Sequence, residues 1–262
     1  MKLGVSYNLF DGEELLEGSI KQIRDHVDYV SVVCQTTSNF GKPCSEDLIP
    51  LLKRLKKEKL IDDVLLYAPE IERGGHFNEI QKRNVGLKAS LETGCTHHMS
   101  MDCDEYFLSN QFAYLKNYIL DNKCDATYCL MKTYFKDPTY EVRPFNQYYT
   151  SLIHEINETS QYCFNCHSPV LVDPTRRINF TKTPKVFERE QIEMYHMSYV
   201  RKNIKDKLVN SSSNSVFLQN LNGFLQMFED YKVGDTFFTT TPPGPPGSET
   251  TVLVENKFNI QL

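Results

Sequence analysis

The sequence contains no tryptophan, although 15 Tyr and 16 Phe supply ample aromatic surface. Carbohydrate-binding modules usually stack sugars on Trp, so its absence weighs against that class. There is no basic excess either: 29 Lys and Arg face 34 Asp and Glu, a net charge of −5. That balance excludes a broad nucleic-acid-binding surface, though a few placed cations suffice to handle phosphate locally. No segment approaches the roughly 18 consecutive apolar residues of a membrane span. The N-terminus, MKLGVSYNLFDGEELLEG, lacks the long apolar core of a signal peptide and reads as a first β-strand. Eight cysteines form no paired framework, and Cys163-Phe-Asn-Cys166 has no second CxxC to complete a zinc site. The expectation is therefore reduced thiols in a cytoplasmic protein. No internal repeat is evident.

What remains is a globular composition: 262 residues, 40% hydrophobic and 24% charged, long enough to bury a large core. The first half alternates two periods. Strand-like runs cover Leu3–Asn8, Val27–Gln35, Asp63–Ala68 and Thr96–Met101. Helical spacing covers about 11–26, the segment SEDLIPLLKRLKKEKL with Ser45 as its N-cap, and about 77–93 with Gly94 closing it. This alternation predicts an α/β fold with a mostly parallel central sheet flanked by helices. A helix is expected over 110–122, a strand over 126–134 and a helix over 214–231, whereas 135–200 shows no clear period. The stretch TTTPPGPPGSETT, residues 239–251, reads as a Pro/Gly linker. The VLVENKFNIQL after it reads as the start of a further domain in a longer polypeptide.

Open parallel sheets bind ligands beyond the carboxyl ends of their strands, so strand-end polar residues come first. The run HHMSMDCDEYF, residues 97–107, carries an apolar strand directly into Asp102-Cys103-Asp104-Glu105. Two carboxylates there suit Mg²⁺ or Mn²⁺, which keep open positions for phosphate oxygens. A surface turn explains most isolated Asp-x-Asp pairs; here the pair follows a buried strand. In the preceding helix, apolar Ile80, Val85, Leu87 and Leu91 leave Arg83 and Asn84 free to lie toward the strand ends. A guanidinium there is suited to hold a diphosphate.

Taken together, KRNVGLKASLETGCTHHMSMDCDEYF resembles the core signature of family 2-type GT-A glycosyltransferases. In that family an Arg-Asn-x-Gly-Leu helix leads through a glycine turn into a strand ending in Asp-x-Asp-Glu. VRPFNQYYTSLIHEINE resembles its segment in which Arg-x-Phe precedes a His-Glu pair, and MYHMSYVRK resembles its later His-x-x-Tyr element. The resemblance covers about residues 1–205, in order. It implies a single GT-A-like (Rossmann-like) domain: a nucleotide-sugar-binding half over 1–107, an acceptor-binding half over 108–238, and the linker segment over 239–262.

The resemblance also implies roles. Asp104 would ligate the divalent metal bridging the diphosphate, Asp102 would contact ribose or assist the metal, and His196 would be a further ligand. Tyr7 and Gln35, at the ends of the first two strands, would line the nucleotide pocket with Arg83 and Asn84. Glu155, from His154-Glu155, would be the general base that takes the acceptor proton in an inverting transfer. Its rivals are Asp137, Glu141 and Asp173. The implied partners are a nucleotide-sugar donor, by preference a UDP-sugar, and a glycan or other hydroxyl acceptor. A nucleotidyltransferase would show a basic Gly-rich loop after its first strand, and NLFDGEELL is not one. A noncatalytic nucleotide-sugar-binding module is the other alternative. Cys166-His167 would suit a cysteine hydrolase only if neighbours in sequence made a working pair, which they rarely do.

Overall fold

The computed structural model describes residues 1–179, 183–212, 214–237 and 249–262. The alternation expected in the first half is present as β1 (Leu3–Leu9), α1 (Glu13–Ile23), β2 (Tyr29–Cys34), α2 (Leu48–Lys57), β3 (Asp63–Leu66), α3 (Gly74–Glu92) and β4 (His97–Asp102). The four strands pair in the order β4-β1-β2-β3, all parallel, so their carboxyl ends share one edge. The register sets Asn8 beside Asp102 at that edge. Gly94 adopts φ 74° just beyond α3, as a helix-closing glycine does. Ser45 does not cap α2; the helix starts at Leu48, and Ser45 Oγ accepts from the amide of Asp47, two residues later, at 3.1 Å.

Alternation along β1 divides the sheet's two faces. Leu3, Val5, Tyr7 and Leu9 pack into the main core with Leu16 and Ile20 of α1 and with Leu48, Leu52 and Leu55 of α2. Phe112, Leu115 and Ile119 of α4 (Ser109–Asn122) join them. The even positions are small and face α3. A Cβ on Gly86 of α3 would collide with the Ser6 side chain, and one on Gly4 would collide with Ser90. Small residues on both sides thus let α3 lie against β1, and this close seat fixes where its polar side chains reach the strand ends.

Beyond β5 (Glu105–Tyr106) and α4 the sheet turns antiparallel. The added strands are β6 (Ala126–Phe135), β7 (Tyr140–Arg143), β8 (Tyr149–Glu155), β9 (Pro184–Val186), β10 (Met194–Tyr199) and β11 (Thr250–Leu253). The main path is β11-β7-β6-β8-β4-β1-β2-β3, with β8 antiparallel to both β4 and β6. The stretch 135–200, in which no period was legible, holds four of these strands. The helix expected over 214–231 is two, α6 (Asn214–Leu218) and α7 (Leu221–Asp230), preceded by α5 (Ile204–Asn210).

Most of the expected Pro/Gly linker lies outside the described residues. The strand read as opening a further domain instead adds β11 to β7 of this sheet. Phe258 then packs on Tyr106 and Tyr195, with ring centroids 5.0 and 5.1 Å away. Cys163 and Cys166 are joined in a disulfide while the other six cysteines are free, which corrects the expectation of reduced thiols for this pair. It also removes Cys166 as a nucleophile. Among the described residues, no helix is long and apolar enough to cross a membrane.

Candidate active site

A cavity of about 490 Å³ opens at the carboxyl edge of the parallel strands. Asn8 and Gln35 reach it from the ends of β1 and β2, Glu79, Lys82 and Arg83 from α3, and Asp102, Asp104 and Glu105 from the end of β4 onward. Asp173 and Arg176, His196, and Arg201 with Lys207 close it from the second half.

Asp102 is the hinge of a charge network. Its carboxylate accepts from Arg176 at 2.6 Å and from Arg83 and Asn8 at 3.3 Å. Its backbone amide donates to Glu105 Oε2 at 3.1 Å, and Arg176 also pairs with the buried Glu105. Arg176 belongs to a helical turn, Pro174–Arg176, in which the side chain of Asp173 caps the Thr175 amide. One turn of chain therefore presents Asp173 and Arg176 to the cavity together. Burial disfavours the charge on Asp102, but the guanidiniums of Arg83 and Arg176 outweigh it and hold the carboxyl below its ordinary range.

Asp104 is almost wholly buried and repeats this pattern. Its Oδ2 pairs with Arg201 and with Lys207 at 3.2 Å, and His196 Nε2 lies 3.7 Å away. Burial again opposes ionisation, and again Lys207 and Arg201 prevail and hold the carboxyl well below its ordinary value. Glu105 differs: burial dominates and raises its carboxyl, with Arg176 opposing.

The expected metal ligands Asp102, Asp104 and His196 all line the cavity. Among the described residues, however, no three His, Cys, Asp or Glu side chains converge as a metal cage. Asp104 Oδ1 is buried with no hydrogen-bond partner, as are the amide oxygens of Asn8 and Asn210, which also line the cavity. A divalent ion that takes one or two carboxylates and completes its shell with water and substrate phosphates fits the free Asp104 oxygen, with His196 Nε2 3.7 Å from the other oxygen of the same carboxylate.

Four other expectations are corrected. Tyr7 is fully buried, and its hydroxyl lies 3.1 Å from Ser19 Oγ on the α1 face. Strand alternation makes its neighbour Asn8 the cavity residue. Asn84 points instead to the 156–179 loop, where it donates to Tyr162 O at 3.0 Å and accepts from Tyr162 N at 2.7 Å. Glu155 and His154 sit opposite His97 and His98, at the start of β4 rather than its end. At about 3.3 Å rise per residue that is roughly 16 Å from Asp102. Glu155 is exposed, and His154 is buried with its ring edge against Tyr128. Of the rival bases, Asp137 closes a turn with Thr139 and Glu141 pairs with Lys132 and Arg143, so only Asp173 lines the cavity. Gln35 and Arg83 both line the cavity, and Gln35 Nε2 donates to Asn39 Oδ1 at 2.8 Å.

Sequence reasoning missed Arg176, Arg201, Lys207, Glu79 and Lys82. Asp-Pro-Thr-Arg at 173–176 and the Tyr-Val-Arg-Lys at 199–202 were visible signals. A capped Asp-Pro turn and an Arg directly after a buried strand both fix a cation in place.

No protein-family model matches the sequence, and no curated protein matches it. Among solved structures the chain is similar to S. aureus TarS 1–349 in complex with UDP, at 14% identity and a TM-score of 0.49, over 88% of this chain and 73% of that one. It is similar to S. aureus TarS at 13% identity and a TM-score of 0.47, over 88% of this chain and 44% of that one. GalNAc-T7 with UDP, GalNAc and Mn²⁺ matches at 11% identity and a TM-score of 0.43, over 88% of this chain and 49% of that one. The chain thus spans less than half the length of the last two. With every TM-score below 0.5, these likenesses assign no family.

Proposed function

We propose that the chain is a GT-A-type glycosyltransferase that moves a sugar from a nucleotide diphosphate donor, by preference a UDP-sugar, to a glycan or other hydroxyl acceptor with inversion. The observation that carries this reading is the meeting of Asp102 and Asp104 with Arg83, Arg176, Arg201 and Lys207 in one cavity at the carboxyl edge of the parallel strands. Departure of a nucleoside diphosphate concentrates negative charge where the sugar was attached. Fixed cations in a partly desolvated cavity stabilise that charge without having to reorganise. The two aspartates hold those cations in position, each at a defined hydrogen-bonding angle, so the array is set before the donor arrives.

A divalent cation, Mn²⁺ or Mg²⁺, would rest on Asp104 with His196 nearby and add positive charge at the departing diphosphate. Asn8 and Gln35 offer amides at the strand ends to ribose and base. The acceptor's proton needs a carboxylate free to take it. Glu79 lines the cavity, is half-buried, and makes no hydrogen bond or ion pair with any described residue. Burial and the neighbouring Asp173 raise its carboxyl, against Arg83 and Lys82, and a raised carboxylate is the stronger base. Glu79 therefore replaces Glu155 as base in this reading.

A screen of nucleotide sugars for hydrolysis and transfer, with and without Mn²⁺, tests it. Donor-specific turnover supports the reading. Binding without turnover for every acceptor and metal would favour a noncatalytic module, and release of pyrophosphate from a nucleoside triphosphate would favour a nucleotidyltransferase.

A further inference from the structure

Four of the five cations around the cavity are already bound to protein groups. Arg83 donates to Ser100 and Asp102, Arg176 to Asp102 and Glu105, and Arg201 and Lys207 to Asp104. Lys82 is the exception. It lines the cavity at 6% exposure, yet its ammonium makes no hydrogen bond or ion pair with any described residue. Glu79 and Asp102 act on it only at a distance, and burial outweighs them and lowers its pKa.

An ammonium has three donors and no acceptor, and removing its water without supplying a partner costs several kcal/mol. The helix had a cheap alternative. Asn84 and Val85, two and three residues on, are only half-buried, and a lysine placed at either would have kept more of its hydration. The Lys82 ammonium is not fully enclosed but open to the cavity, so the partner it lacks comes from that space. The other four cations share three carboxylates, those of Asp102, Asp104 and Glu105. Asp11, Glu79, Asp173 and Glu249 also line the cavity, and no ion pair joins Lys82 to any of Asp11, Glu79 or Asp173. Among the described residues, Lys82 is thus the one lining Lys or Arg without a bonded carboxylate, and an anionic phosphate oxygen would supply the acceptor it lacks.

We propose that Lys82 is the seat for a phosphate oxygen of the donor's diphosphate, contacting directly the group that Arg83, engaged by Ser100 and Asp102, leaves free. The identity of the ligand as a nucleoside diphosphate rests on the glycosyltransferase reading; the need for an anionic acceptor at Lys82 does not.

Calorimetric titration of the full chain in EDTA separates the two. Inorganic pyrophosphate, UDP and uridine are the probes, against wild type, Lys82→Met and Lys82→Arg. Wild type binds pyrophosphate and UDP. Lys82→Met weakens both about tenfold or more and leaves uridine unchanged, while Lys82→Arg keeps most of the affinity. Should Lys82→Met fold poorly, Lys82→Gln gives the same comparison. The proposal is overturned if wild type does not bind pyrophosphate, if the neutral variants bind pyrophosphate and UDP as wild type does, or if they lose uridine to the same extent. Undiminished UDP binding in Lys82→Met sinks the seat and leaves the donor reading standing. Lys82-dependent pyrophosphate binding with no affinity for any nucleotide does the reverse.

Discussion

Arg176 donates to Asp102 at 2.6 Å across 74 residues of chain, and the same guanidinium holds the buried Glu105. This contact ties the irregular second half to the end of β4. Replacing Arg176 with Met leaves Glu105 buried without its cation. Asp102 keeps Arg83, and Glu105, already raised, can take up a proton, so the loss sits at the low end for a broken buried pair. Arg176→Met is expected to cost about 3 kcal/mol in urea denaturation. Lys56→Met, which breaks the exposed Lys56–Asp63 pair, is expected to cost less than about 0.5 kcal/mol. Equal costs would contradict the structural role assigned to Arg176.

Acid should weaken the fold from well above the carboxylate range. Burial lowers His98 to about 3 and His154 to about 4, both from 6.5. Between those values and 6.5 the unfolded chain binds more protons than the folded one, so stability is full above pH 6.5 and falls as pH drops toward the folded values. Asp102 and Asp104, held low, add loss in the same direction below about pH 4. Urea midpoints measured from pH 7.5 to 4 should fall steadily below pH 6.5. His98→Gln should flatten the slope above pH 4; an unchanged slope would rule out His98 as a source.

Gly86 inverts the usual helix preference. Mid-helix Gly→Ala ordinarily gains up to about 1 kcal/mol. Here the added Cβ meets Ser6, and Gly86→Ala is expected to cost about 1–3 kcal/mol instead. Ser6→Gly in the same chain should recover much of that loss in thermal unfolding. A stabilising Gly86→Ala would show that α3 does not lie this close to β1.

The base assignment separates two carboxylates. Glu79→Gln should abolish transfer while sparing donor binding, and Glu155→Gln should leave transfer within about twofold of wild type. Because Glu79 is raised, the acidic limb of the transfer rate should lie above the ordinary glutamate range, with activity rising as the base loses its proton. A dead Glu155→Gln with an active Glu79→Gln would return the role to Glu155.

These residues also show what was legible beforehand. The parallel strands with α1 and α2 were readable because buried strands and amphipathic helices carry distinct periods, α3 was bounded by its closing Gly94, and Asp102 followed from the strand that ends in it. The glycine of Arg-Asn-x-Gly-Leu now has a physical reason, contact with Ser6. His154-Glu155 misled because β8 runs antiparallel to β4, which carries a motif distal in sequence to the wrong end of the sheet. Tyr7 misled by one residue, the whole difference between two faces of a strand. Arg176 and Arg201 lie in readable local runs, but nothing in the sequence linked them or Lys207 to the strand-end carboxylates, because cations delivered from a turn, a strand end and a short helix share no period. Only tertiary structure brings them to Asp102 and Asp104.

The central claim is that the Asp102–Asp104 cavity binds a nucleotide sugar and transfers its sugar. Its most direct measurement is release of nucleoside diphosphate from a panel of nucleotide sugars, by wild type and by Asp104→Asn. The account predicts release from at least one donor by wild type and a loss of about a hundredfold or more in Asp104→Asn, from its disturbed cation array. No donor turned over under any metal condition, or an Asp104→Asn variant as active as wild type, would contradict it.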